Sequence, residues 1–152
     1  MNRLNEIIDR ITEFGTNPNV TSENKELEIT KLLVDLYSEY LGLSDIELDD
    51  KDYDDEPSFP YKKIRANVVA NFPSFGWYHE VWESHKIIPD ADLVTGDAID
   101  DLTDIIIDML AVKWRIVNTS INDALWHFSF SMKIHSEQHL VNFLKYLKDK
   151  KG

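Results

Sequence analysis

The stretch Thr95–Val117, TGDAIDDLTDIIIDMLAVKWRIV, decides the fold class. At about 100° per residue, Asp97, Asp101, Asp104 and Asp108 fall on one narrow stripe, with Asp100 at its edge and Arg115 continuing the line. Between them apolar residues from Ile99 to Val117 cover more than half of the circumference, wider than a surface helix needs. The pattern predicts a buried central helix over 96–117 that shows only its acidic stripe to water or to a site. Thr95 is the expected N-cap, and Asp97, Asp100 and Asp101 lie where the helix dipole favours negative charge. Asp104 and Asp108 have no such local reason to be there.

A chain of 152 residues, 43% of them hydrophobic, is the right size for one domain with its own core. There is no cysteine, so disulfides and thiolate metal sites are ruled out. The opening MNRLNEIIDR lacks the apolar core of a signal peptide, and no apolar run is long enough to span a bilayer, which gives the expectation of a cytoplasmic protein. A net charge of −12 argues against nucleic acid and anionic membrane as partners, since both demand a basic face. It leaves a basic protein partner, a divalent cation, or plain solubility.

Outward from the central helix, Leu4, Ile7, Ile8, Ile11 and Phe14 predict a first amphipathic helix that Gly15 and Asn17-Pro18-Asn19 stop. A second, capped by Thr21 or Ser22, carries Ile29, Leu32, Leu33, Leu36, Tyr37 and Tyr40 up to Gly42. From Ser44 to Pro60, eight acidic side chains against Lys51 alone read as a mobile acidic connector. Asp50, Asp52 and Asp54 alternate as in a calcium loop, but Asp55 replaces the turn glycine and Tyr61 the bidentate glutamate. Tyr61 to Phe72 is helical again, with Lys62, Lys63 and Arg65 as partners for the aspartates. Phe72, Phe75, Trp77, Tyr78, Val81 and Trp82 then crowd into eleven residues, a core or an interface.

From Ile121 to Lys150, Trp126, Phe128, Phe130, Met132 and Ile134 alternate with polar residues, yet a helix fits the whole length better and no partner strand is evident. One wheel face carries Trp126, Phe130, Ile134, Val141 and Leu144, and a second carries Leu125, Phe128, Met132 and Phe143. The chain is therefore expected to be all-α, a single-domain bundle of about five to six helices.

Two constellations carry chemistry. Asp100-Asp101-Leu102-Thr103-Asp104 has the form DDxxD, with which helical isoprenoid synthases hold magnesium and diphosphate, though those enzymes need about twice this length and a second motif. All-helical nucleotide pyrophosphohydrolases match better in size, but their glutamate-rich pattern is absent. His135 and His139, four apart on a helix, can chelate a transition metal with a third ligand from His79, His85 or the stripe. Neither HExxH nor Glu-x-x-His occurs, nor a glycine-rich phosphate loop or GxSxG. The metal candidates are thus Asp101, Asp104, Asp108, His135 and His139.

FPSFGWY, GDAIDDLTDIIIDML and DALWHFSFSMKIHSEQH together resemble a family of uncharacterised bacterial proteins of unknown function, over about Tyr61 to Leu147. The DDLxDI core and the two histidines carry the likeness. It implies an all-helical bacterial domain, supplies no activity, and marks Asp100, Asp101, Asp104, Asp108, His135 and His139 as the group to test. The function expected from the whole is a small acidic binding or regulatory module whose patch of Trp77, Tyr78 and Trp82 engages itself or a basic partner. The alternative is a divalent-metal-dependent enzyme acting on a phosphorylated small molecule, with Asp101, Asp104 and Asp108 as ligands and a histidine as general base. A weaker reading has the acidic face mimic nucleic acid.

Overall fold

The structure is a computed structural model that describes all 152 residues. Its first helix, α1 (Asn2–Thr16), buries Leu4, Ile7, Ile8, Ile11 and Phe14 on one stripe. Gly15, expected to end this helix, lies inside it. A Cβ there would sit 2.6 Å from an Ile106 methyl and 2.9 Å from an Ile64 methyl, so the glycine marks the closest approach of three helices. The helix ends instead at Asn17, extended at φ −124°, as the residue before a proline prefers. The second helix, α2 (Lys25–Leu41), starts later than Thr21 or Ser22 would have it, because Asn24 Oδ1 accepts from the Leu27 amide at 3.0 Å. Arg10 ties the pair together, reaching Glu28 at 2.8 Å and the Thr21 carbonyl at 2.8 Å.

The next helix, α3 (Tyr61–Asn71), closes on a buried polar knot. Asn71 Nδ2 donates to the carbonyls of Phe14, Asn17 and Asn67, while its Oδ1 accepts from the Val20 amide at 3.0 Å and Lys25 Nζ at 3.1 Å. One side chain satisfies the carboxyl end of α1 and the turn after it.

Of the crowded aromatics, Phe72 and Phe75 stack at 4.7 Å and enter the core, whereas the residues after them form an antiparallel ribbon. Its strands are β1 (Trp77–Val81) and β2 (Leu93–Asp97), paired Trp77 to Asp97, His79 to Thr95 and Val81 to Leu93. The expected helical bundle carries this small ribbon as an addition that the sequence pattern did not reveal. Two five-residue strands with an eleven-residue connection show too short an alternation for pattern reading to see. Thr95 is therefore a strand residue, and Asp97 caps the central helix by accepting from the Ile99 amide at 2.9 Å.

That helix, α4 (Ala98–Asn118), packs against α1, α3, α5 and α6 and supplies Leu102, Ile105, Ile106 and Met109 to the centre of the core. The remaining rod is α5 (Ile121–Ser131), a π turn (Met132–Ser136) and α6 (Glu137–Lys151). After Asp123 and Ala124 in its first turn, its buried residues are Phe128, Met132, Ser136, Leu140, Phe143 and Leu147. Nineteen residues at about 100° each would overshoot five turns by about 100°, one residue's worth. The wide π turn absorbs that residue and keeps one face inward along the whole rod. It is why the face with Phe128 and Met132 is core, while Phe130, Ile134 and Val141 are exposed.

The acidic segment between α2 and α3 has no regular structure, as a connector should, and it lies over the α4–α5 corner. Asp49 accepts from Ser120 Oγ at 2.5 Å and Tyr53 Oη at 2.7 Å, and Asn122 donates to the Glu47 carbonyl at 2.7 Å. Arg115, rather than continuing the stripe, holds Asp123 at 3.0 Å and Glu56 at 3.2 Å. No helix is long and apolar enough to cross a membrane. The molecule is a mostly helical bundle with a small two-stranded ribbon.

Two substitutions test this packing. Asn71→Ala leaves several buried backbone groups unpaired and is expected to cost about 2–4 kcal/mol in denaturant unfolding. Gly15→Ala, although alanine favours helices, is expected to cost about 1–3 kcal/mol through overpacking, and a stabilised variant would show that the three-helix contact is looser than described.

Candidate metal centre

The buried flank of the α4 stripe meets the π turn and the first turn of α6. On α4, Asp101, Asp104 and Asp108 stand three and four residues apart and so share a face. Opposite them the π turn brings His135 and Ser136, neighbours in sequence, onto the same carboxylate: His135 Nδ1 lies 2.7 Å and Ser136 Oγ 2.6 Å from Asp108 Oδ2. One turn on, His139 Nδ1 lies 2.7 Å from Asp101 Oδ1. A π turn at a cluster of ionisable groups is a recurrent device, because it re-aims side chains that a regular helix would fan apart.

The other imidazole edges face each other. His135 Nε2 and His139 Nε2 are 3.1 Å apart, and His139 Nε2 is 3.3 Å from Asp104 Oδ2. One ligand atom from each of Asp104, His135 and His139 lies within 4.8 Å of the others. A carboxylate only accepts, so each Nδ1 carries its proton and each Nε2 turns a lone pair toward the other. Two bare nitrogens at that distance repel unless a proton or a cation sits between them. Ligand atoms around a tetrahedral ion with about 2.0–2.1 Å bonds stand about 3.3 Å apart, close to the observed spacing.

Behind these three groups is a supporting layer. Asp101, nearly buried, also accepts from Tyr78 Oη at 2.5 Å. Tyr78 sits on β1 directly opposite Gly96, where a Cβ would fall within 2.5 Å of its ring atoms. Gly96 therefore lets the ring lie across the ribbon and reach α4. Burial first, and then the Asp101 hydrogen bond, push the Tyr78 phenol well above its ordinary range, so it remains a donor. Hydrogen bonding to Asp101 raises His139 against the opposing effect of burial, with the charges of Asp101, Asp104 and Asp108 adding to the rise. Burial lifts the Asp104 carboxyl, partly offset by the two histidines.

All five metal candidates named from the sequence thus come together, but in two tiers. Asp104, His135 and His139 offer free ligand atoms, while Asp101 and Asp108 orient the imidazoles. The DDxxD string does not converge on one hard cation. Asp100 is turned to Tyr61 and to Arg65 at 3.2 Å, and Arg65 also holds Asp97 at 3.1 Å. Of the cations expected to partner the stripe, Arg65 does so; no ion pair joins Lys62 or Lys63 to it. His79 and His85 lie on the ribbon and its connection, outside the cluster. The aromatic patch is divided: Trp77 and Trp82 are 69% and 61% exposed, whereas Tyr78 turns inward. Sequence reading missed Ser136 and the supporting role of Tyr78. The adjacent His-Ser pair and the lone glycine beside the DDLxDI core were the available signals.

A mostly helical bundle with a histidine–carboxylate cluster between its central and last helices is the class that fold and site define. No protein-family model matches the chain, and no curated protein matches it. Among solved structures, the crystal structure of protein BF1032 from Bacteroides fragilis superposes with a TM-score of 0.75 at 17% identity, over 98% of this chain and 90% of that one. The likeness is one of fold.

The Asp101–His139 pair makes stability depend on pH. His139 has its folded pKa raised above the unfolded value, so its contribution is complete below about pH 6.5 and is lost as pH rises through the folded value. In chelator-treated protein, denaturant midpoints are expected to fall over that interval, and His139→Gln is expected to flatten the slope. An unchanged slope in the variant would show that the pair is not the source.

Proposed function

We propose that this chain is a divalent-transition-metal protein whose centre is Asp104, His135 and His139, used for metal-assisted hydrolytic catalysis. The observation that carries the reading is the approach of the two Nε2 atoms to 3.1 Å with each Nδ1 already committed to a carboxylate. Carboxylate-oriented imidazoles are how proteins fix the tautomer and raise the basicity of metal-ligating histidines. Two nitrogens and one oxygen suit a borderline ion such as zinc, iron or nickel better than magnesium or calcium, which prefer oxygen alone. Three protein ligands leave a position for water, whose pKa a bound metal lowers toward neutrality. His135, with its side chain 44% exposed, leaves that position open to solvent.

This reading takes the enzymatic alternative over the binding module, because the aspartates turn to the histidines and not to bulk water. A phosphorylated substrate would rely on the metal for most of its charge compensation, since Arg65 is engaged by Asp97 and Asp100. A cytoplasmic location fits the cysteine-free chain and keeps such a centre in a reducing milieu. The likeness to the bacterial family of unknown function belongs to the same reading, since its DDLxDI and HxxxH motifs supply these residues.

The test is metal titration of chelator-stripped protein. Zinc or nickel is expected to raise the melting temperature, by the equivalent of about 2.7 kcal/mol when the metal is 100-fold above its dissociation constant. Asp104→Asn, His135→Ala and His139→Ala are each expected to abolish the rise, and Asp108→Asn to weaken binding by about 10–100-fold. Equal stabilisation by magnesium, or none by any of these ions, would overturn the proposal.

A further inference from the structure

The ribbon turns more than Tyr78 toward the bundle. Side chains alternate along a strand, so Glu80, two residues on, leans over α6 on the same side. It is half-buried, yet no ion pair or side-chain hydrogen bond engages its carboxylate. Glu80 borders two adjoining recesses between the ribbon and α6, which share Asn142 and Lys145 as walls. The larger, of about 590 Å3, is of the size that holds a small molecule. Trp82, Val81, Leu93 and Val141 give it apolar surface, and Gln138 and Asn142, joined by a 2.9 Å amide hydrogen bond, give it polar surface. The indole is not on a loose loop. The Trp82 amide donates to the Asp92 carbonyl at 2.8 Å, and Glu83, next in the chain, is held at φ 50°, a conformation that a glutamate rarely adopts.

Charge decides what such a cleft can hold. Lys145, the cation in its wall, is taken by Asp149 at 2.6 Å, and Glu83 is taken by Lys86 at 3.2 Å, so the open charge is Glu80. Asp90 and Asp92 stand exposed on the same connection. An anion therefore meets negative potential with no free cation to offset it. A metal ion is no better served, because the carboxylate and imidazole groups that converge in this molecule are those of Asp104, His135 and His139. An unpaired carboxylate beside an exposed indole is what an organic cation satisfies: its nitrogen gains a charge-assisted hydrogen bond, and its body gains an aromatic face that favours positive charge. Glu80 and Trp82 are two residues apart on extended chain, about 6.6 Å, a span that one ring with a charged nitrogen covers. We propose that the cleft between the ribbon and α6 binds a small organic cation, an amine, amidine or guanidine on a planar or apolar body, with Glu80 holding the nitrogen and Trp82 covering the body.

The proposal does not rest on the metal reading, since Glu80 and Trp82 belong neither to the centre nor to the layer behind it. Its test is an NMR titration of the chelator-treated full chain with matched probes: benzamidine and benzylamine, which are cations, benzamide, which is neutral, and benzoate, an anion. The two cations are expected to bind with dissociation constants on the order of 1 mM and to shift the Trp82 indole and Asn142 amide resonances, with benzamide about 10-fold weaker and benzoate silent. Glu80→Gln is expected to bring benzamidine down to the level of benzamide, and Trp82→Ala to weaken both by about 5-fold. Asp52→Asn, which removes the same charge from an exposed position on the acidic connector, is expected to change neither. Failure of both cations to shift these resonances at about 20 mM overturns the proposal, as do equal affinities for benzamidine and benzamide or an undiminished response in Glu80→Gln. A tetralysine peptide that binds about 10-fold more tightly than benzamidine at low salt and is released at high salt overturns it in favour of a basic protein partner.

Discussion

Five carboxylates on the first three turns of one helix, in a chain that already carries −12, repel one another, and two of them, Asp97 and Asp101, are buried. Everything around the helix is arranged to answer that repulsion. Asp97 and Asp100 are paired with Arg65 from α3, Asp101 accepts hydrogen bonds from Tyr78 of the ribbon and His139 of α6, and Asp108 accepts them from His135 and Ser136 of the π turn. Together these contacts fix α3, the ribbon, the π turn and α6 against α4. Charge separation that would destabilise an isolated helix becomes the set of directional contacts that orients the bundle.

Asp104 is the member without a dedicated hydrogen-bond donor, and it faces the two imidazole nitrogens. The same geometry accommodates either a proton or a divalent ion, and the two compete for the same lone pairs. Hydrogen bonding to Asp101 raises the pKa of His139 and so favours the proton there. Metal binding would release it, so affinity and pH are linked through one pair of rings. The hydrogen bonds to Asp101 and Asp108 remain in both states, which keeps the imidazoles in place whichever cation lies between them.

The π turn serves packing and chemistry at once. It holds the core face of a rod of some thirty residues in register, and it places His135 and Ser136 on one carboxylate. Removing the extra residue would restore a regular helix, but it would rotate either the half bearing Phe128 or the half bearing Phe143 out of the core. A feature with two such roles resists loss for either reason alone.

The acidic stripe, the apolar bulk of α4, the spacing of His135 and His139 and the mostly helical class were all legible from the residues, because they are properties of a 3.6-residue period within one segment. The ribbon was not, since WYHEV and LVTGD are each too short to establish a period of two and acquire it only by pairing across eleven intervening residues. The role of Gly15 was misread for the same reason: its neighbours are Ile64 and Ile106, far away in sequence. Which aspartates orient and which could ligate was likewise beyond local reading, as three lie on one face and differ only in what stands opposite. Periodicity along the chain determined which side chains share a surface of their own helix. The partner each one meets was decided by packing between distant segments, where burial and hydrogen-bond satisfaction act on whole elements and leave no trace in the local pattern.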